Sequence, residues 1–184
     1  MRILGIPGSL RRLSYNRGLL LAAQEVAAHG MIVEIADLGP IPLYNADVEA
    51  EGVPPSVRAF KAQIEAADAL LIATPEYNYS VPGVLKNAID WASRPPRESP
   101  LRQKPIALMG ASPGPTGTVR AQLALRQSFV FTESFVMLKP ELHVANARDR
   151  FDADGRLTDE RVREQIRALL EALGDWVERL RPRS

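Results

Sequence analysis

Three short stretches of this sequence gather the hydroxyls, guanidinium groups, amides and glycines from which a ligand site can be made. The first is Gly8-Ser9-Leu10-Arg11-Arg12-Leu13-Ser14-Tyr15-Asn16, which joins an apolar run to an amphipathic one. At a strand-to-helix junction the free backbone N–H groups and the positive helix end favour an anion. Ser9, Ser14 and Asn16 add neutral donors, and Arg11 adds a guanidinium fork shaped for phosphate oxygens. No Gly-Lys-Ser/Thr follows Gly8, so the Walker pattern is excluded. The dinucleotide fingerprint G-x-G-x-x-G fails on spacing, with Arg11 and Arg12 standing where backbone would have to approach a pyrophosphate. A terminal monophosphate fits better. The competing reading is structural: Ser14 or Asn16 merely caps a helix, and the arginines are solvated. Asp37, without the glycines, reads as an ordinary loop carboxylate.

The second stretch, Thr74-Pro75-Glu76-Tyr77-Asn78-Tyr79-Ser80-Val81-Pro82-Gly83, follows the buried run Ala69–Ala73. Its prolines fix backbone dihedrals, which lets the N–H groups of Glu76, Tyr77 and Asn78 hold one orientation toward the edge of a heteroaromatic ring such as a flavin. Glu76 lacks a second carboxylate of matching context, so a hydrolytic dyad is not supported. The next segment, Val84–Trp91, has helical spacing that makes Leu85 and Trp91 packing residues and sets Lys86 four residues before Asp90 as a surface pair. The third stretch, Gly110-Ala111-Ser112-Pro113-Gly114-Pro115-Thr116-Gly117-Thr118, has three glycines that let backbone come close to a ligand, with Ser112 as the leading donor. Read alone, it is equally a glycine turn that starts a helix.

Other chemistry is scarce. The 184 residues hold no cysteine and only His29 and His143 as imidazoles, so disulfides, thiolate nucleophiles and Cys-ligated metals are excluded. His143 has no second histidine at metal-ligand spacing, and Asp152-Ala153-Asp154-Gly155 starts like a calcium loop but lacks the later ligands, which makes it a turn. Redox chemistry must therefore come from a bound cofactor. With 23 Lys plus Arg against 22 Asp plus Glu, the net charge of +1 provides no field for nucleic acid or an anionic membrane. Arg120 and Glu141 are candidates to pair across a subunit contact, and Arg179, Arg181 and Arg183 read as a solvated, frayed end.

The elements that must position these loops alternate along the chain. Ile3–Ile6, Ile32–Ile35, Ala69–Ala73, Ile106–Gly110 and Phe135–Leu138 read as strands, and Asn16–His29, Ser56–Ala67, Pro82–Ala92, Val119–Phe131 and Asp159–Leu180 as helices. His29-Gly30 is the expected end of the first helix and Thr158 the expected N-cap of the last. Five strands each followed by a helix imply an α/β domain with a parallel sheet covered on both faces, and one domain accounts for residues 1–184. The proline-rich connections Gly39–Pro55 and Ser93–Lys104 are long enough to be functional surface loops. No run suits a signal peptide or a membrane span, so a cytoplasmic protein is expected.

Together, Gly8-Ser9-Leu10-Arg11 with Ser14 and Asn16, and Thr74–Gly83 with Leu85–Trp91, resemble the NADPH-dependent FMN reductase family, nearest its bacterial quinone and chromate reductases. The resemblance runs from the first strand through Pro140-Glu141. It implies a flavodoxin-like three-layer sandwich with strand order 2-1-3-4-5, bound FMN, NADPH or NADH as cosubstrate, and a homodimer or homotetramer whose interface borders the flavin. Ser9, Arg11, Ser14 and Asn16 match the family's phosphate-binding positions. Pro75, Glu76, Tyr77 and Asn78 match those flanking the isoalloxazine ring, and Ser112 matches the third-loop contact. Leu123 departs from the tyrosine that close relatives carry near the subunit contact. The implied activity is transfer of electrons from NAD(P)H by ping-pong kinetics to a small acceptor: a quinone, chromate, an azo compound, a ferric chelate or free flavin. A flavodoxin-type electron carrier is the alternative, though the near-neutral charge lacks the acidic face such carriers present.

Overall fold

The computed structural model describes residues 1–181. The strands β1 (Arg2–Pro7), β2 (Ile32–Ile35), β3 (Ala69–Ala73), β4 (Pro105–Ala111), β5 (Phe135–Val136) and β6 (Leu142–Val144) form one parallel sheet of order β2-β1-β3-β4-β5, with β6 also on β4. That is the expected flavodoxin-like order, with one strand more. β5 pairs with Pro105–Ile106 at the start of β4 and β6 pairs with Met109–Ala111 at its end, so the two occupy successive lengths of one edge.

The helices are α1 (Tyr15–Val26), α2 (Ala46–Glu51), α3 (Pro55–Ala66), α4 (Gly83–Ala92), α5 (Val119–Phe131) and α6 (Glu160–Leu180). Side chains alternate across the central strands as a pleated sheet requires. Ile3, Ala69, Leu71, Ala73, Ala107 and Met109 join α1 and α6 in one core, while Leu4, Ile6, Leu70, Ile72, Ile106 and Leu108 join α3, α4 and α5 in the other. With both faces covered, β3 is buried along its whole length, which is why it reads as an unbroken apolar run. Each fully buried Leu or Ile contributes about 1.5–3 kcal/mol.

Several boundaries differ from expectation. α1 stops at Val26 rather than His29, because Met31 N–H turns back to Ala28 O and the N-terminal amine donates to Gly30 O at 2.6 Å. That turn, with Gly30 at φ 87°, brings Ile32 into register with Arg2. The N-cap of α6 is Asp159, whose Oδ1 accepts from Val162 N–H, since Thr158 Oγ1 is engaged with Arg150 O. Gly39–Pro55 contains α2 and is held to α4: Asn87 Nδ2 and Trp91 Nε1 both donate to Pro42 O at 2.8 Å. Leu85 and Trp91 are buried, as their spacing implied, and Lys86 pairs with Asp90 at 2.7 Å. Asp152 Oδ1 accepts from Asp154 and Arg156 N–H, which makes the expected turn. Arg181 pairs with Glu178, whereas Arg183 lies outside the described residues. No helix is long and apolar enough to cross a membrane, and among the described residues no cluster of His, Asp or Glu could hold a metal.

Candidate functional site

The loops that follow β1, β3 and β4 meet at the carboxyl edge of the sheet, where open parallel sheets bind ligands. They enclose a cleft of about 270 Å³ whose lining includes Ser9, Arg11, Ser14, Asn16, Pro75, Glu76, Tyr77 and Ser112. Eight of the nine residues singled out in the sequence are thus brought together. Asn78 is the exception: at φ 49°, beside Tyr79 at φ 64°, it occupies the tip of a tight turn closed by reciprocal backbone bonds between Tyr77 and Ser80. Neither proline-rich connection lines this cleft.

At the phosphate end, the Ser14 side chain caps α1 weakly, accepting Arg17 N–H at 3.5 Å, and Gly18 N–H closes onto Ser14 O. The amides of Tyr15 and Asn16 have no partner among the described residues, which leaves them to an anion. The Arg11 guanidinium lies 5.0 Å from the Tyr15 ring centroid and forms no ion pair with a described carboxylate. Asn16 is placed differently from a ligand donor. It is buried, its Nδ2 donates to Ala111 O at 3.0 Å, and its Oδ1 accepts Ala111 N–H at 2.9 Å. Its amide therefore binds the first loop to the third.

The ring end is braced in the same way. Gly8 allows the first two loops to touch, since a Cβ there would lie 2.9 Å from Pro75 Cδ and 3.2 Å from Thr74 Cα. Ser9 Oγ and Tyr77 Oη are 3.3 Å apart and tie the loops again. The Glu76 carboxylate turns toward α5, accepting Arg120 N–H at 2.9 Å, Ala121 N–H at 3.2 Å and Arg120 Nε–H at 2.6 Å. Only 5% of that side chain is exposed. Burial pushes its pKa up, but the Arg120 hydrogen bond, the two backbone amides and the Arg120 charge together hold it below the ordinary 4.5. Arg120 in turn stacks on Tyr79, with Cζ 3.6 Å from the ring centroid. Arg120 thus pairs within its own chain with Glu76, not with Glu141, whose carboxylate meets Lys139 at 2.7 Å.

In the third loop, Ser112 N–H is fixed by Val144 O, and its Oγ accepts Gly114 N–H at 3.2 Å. Two polar lining residues escaped the sequence reading. Arg148 reaches the cleft from the turn after β6, anchored by Asn146 at φ 51° and by Ala147 N–H on Ser112 O. Tyr15 packs on Phe151 with ring centroids 4.9 Å apart. Local sequence carried no signal for Arg148 because β6 itself went unread. Tyr15 was visible as the residue between Ser14 and Asn16.

The donor set suits a phosphorylated heterocycle. Free amides, two serine hydroxyls and unpaired guanidinium groups stand at one end, and a rigid proline-bounded loop at the other, while the only lining carboxylate is neutralised by Arg120. Comparison with known proteins agrees. A family model described as NADPH-dependent FMN reductase matches residues 1–149. An NAD(P)H-dependent FMN reductase of Pseudomonas aeruginosa is 56% identical over 181 residues, covering 98% of this chain and 97% of its own. A quinone reductase of Escherichia coli is 39% identical, with 98% and 97% covered. Among solved structures, FerB, a flavoenzyme NAD(P)H:(acceptor) oxidoreductase from Paracoccus denitrificans, superposes with a TM-score of 0.87 at 36% identity and 97% coverage of both chains. The chain belongs to the NADPH-dependent FMN reductase family and is an oxidoreductase of flavodoxin-like fold.

Proposed function

We propose that the protein binds FMN in the cleft at the carboxyl edge of the sheet and passes electrons from NAD(P)H to quinones. The observation that carries this reading is the joining, in one cleft, of an anion-receptive α1 terminus with the braced Pro75–Tyr77 loop. The relatives named quinone reductases support the choice of acceptor. Ser9, Arg11, Ser14 and the first amides of α1 would hold the phosphate, with Arg148 adding a second guanidinium. Pro75, Tyr77 and Ser112 would border the ring, and Glu76 would contribute backbone only, its carboxylate being committed to α5. Asn78 would act from the turn that fixes this loop.

Bound FMN supplies the redox step, accepting a hydride equivalent from NAD(P)H and delivering two electrons to the acceptor. The polypeptide positions the reactants, and no side-chain acid or nucleophile is required for that step. A single cleft receives NAD(P)H and then the acceptor, so the two alternate. Its open mouth extends the reading to chromate, azo compounds, ferric chelates and free flavin as further acceptors. A cytoplasmic location and a homodimer or homotetramer belong to the same proposal. The exposed Leu123, Val130 and Phe131 along α5 support association.

The test is anaerobic spectroscopy of the purified protein loaded with FMN. NADPH alone should bleach the flavin bands, a quinone should restore them, and steady-state double-reciprocal plots should be parallel. Failure to take up FMN refutes the site. Uptake without bleaching makes the protein an electron carrier that depends on a separate reductase.

A further inference from the structure

A second cleft adjoins the first. Its volume is about 470 Å³, it shares Ser9 and Arg11 with the flavin cleft, and it continues over Arg12, Arg17, Asp37 and Leu38. It therefore opens where the first loop meets the end of β2.

Its charge has no internal explanation. Arg11 and Arg12 precede α1 and Arg17 lies in its first turn, the end of a helix that disfavours cations. The first turn contains no acidic residue, and none of the three guanidinium groups is within ion-pair distance of a described carboxylate. Three arginines against the single carboxylate Asp37 leave the lining at +2. One flavin phosphate in the neighbouring cleft engages Arg11 and the α1 amides, which leaves Arg12 and Arg17 without a counter-ion. The remaining lining suits a nucleoside. Leu10, 59% exposed, and Leu38 provide apolar wall, and Asp37 follows β2, the position from which a carboxylate in parallel-sheet nucleotide sites takes a ribose hydroxyl. One Asp37 oxygen accepts Gly39 N–H at 2.9 Å, and the other has no recorded partner. An arginine beside such a carboxylate is the usual means of accommodating a 2′-phosphate.

We infer that this second cleft receives the adenosine end of NADPH, with Arg12 and Arg17 gripping its 2′-phosphate and Asp37 taking a ribose hydroxyl. The inference rests on the flavin reading, since the nicotinamide must reach the adjoining cleft. It makes NADPH the preferred reductant over NADH.

The test uses FMN-loaded protein and the double variant Arg12→Ala/Arg17→Ala, which leaves Arg11 and the flavin cleft intact; both arginines are exposed, so folding is preserved. Three quantities are measured: FMN affinity by fluorescence quenching, calorimetric binding of 2′-AMP against 5′-AMP, and KM for NADPH and for NADH. The parent should bind 2′-AMP more tightly than 5′-AMP. The variant should lose that preference and raise KM for NADPH about tenfold or more, with KM for NADH and FMN affinity unchanged. Equal effects on both reductants, no effect on either, or weakened FMN with an unchanged reductant ratio each overturn the inference. In the last case the arginines serve the flavin phosphate. Failure of the flavin reading is separate, since it appears as a parent protein that takes up no FMN.

Discussion

Removing the Glu76 carboxylate should loosen the ring loop and destabilise the fold by an amount that depends on pH. Thr118, the residue before α5, makes no side-chain cap, so the carboxylate of Glu76 serves the amides of Arg120 and Ala121 in its place. In Glu76→Ala those amides lose their acceptor, a loss of about 1–2 kcal/mol by the usual value of caps and buried hydrogen bonds. For a chain of this size that corresponds to a fall in Tm of about 2–8 °C. Glu76→Gln keeps one acceptor oxygen but turns an amide toward Arg120, and should recover about half of the loss. Because the folded pKa of Glu76 lies below the ordinary 4.5, the unfolded chain binds more protons over that interval. The charge-dependent stabilisation is therefore complete above pH 4.5 and vanishes as pH falls through the folded value. Urea unfolding of the parent and Glu76→Gln, taken from pH 7 down to about pH 3, should show a gap that is flat and then closes. The same variants should bind FMN more weakly, since Arg120 would no longer be held over Tyr79. A gap of the same size at both ends of the range, or none at pH 7, would refute the capping role.

Two further variants test the bracing of the other loops. Asn16→Ala strands both the N–H and the C=O of Ala111 in a buried setting, and should cost about 2–4 kcal/mol in denaturant unfolding while weakening FMN binding. Gly110→Ala places a Cβ against Thr118 Oγ1 and Thr74 O, one of them backbone, and should lower stability by about 3 kcal/mol, read as a drop in the urea midpoint.

The central sheet was legible because its strands are buried on both faces. Leu70, Leu71 and Ile72 leave no polar position to confuse the pattern, and the loops after such strands are where ligands gather. β6 was not legible: Leu142-His143-Val144 is too short to show a period, and it is a strand only because Met109–Ala111 offers an open edge. The end of α1 was misplaced for a similar reason, since Ala27 and Ala28 are good helix formers and only the pairing of Ile32 with Arg2 requires the turn to begin earlier. Arg148 depended on β6 and was lost with it. In each case the deciding contact is distant in sequence, and local propensity does not carry it.

The same limit explains why residue type alone did not separate gripping from bracing within the cleft. Asn16 and Glu76 have the polar groups of a ligand site, yet each spends them on a partner far along the chain: Ala111 for Asn16, and the start of α5 for Glu76. Ser9 does both, lining the cleft while meeting Tyr77. Side chains spent in this way hold the loops in place before a ligand arrives, so less binding energy is lost in ordering them. The groups left without partners, the first amides of α1 and the Arg11 guanidinium, then fall at the one end of the cleft where the helix dipole already favours an anion. Rigidity and recognition are thus divided between residues that look alike in sequence, and the division is set by which polar atoms the fold has already satisfied.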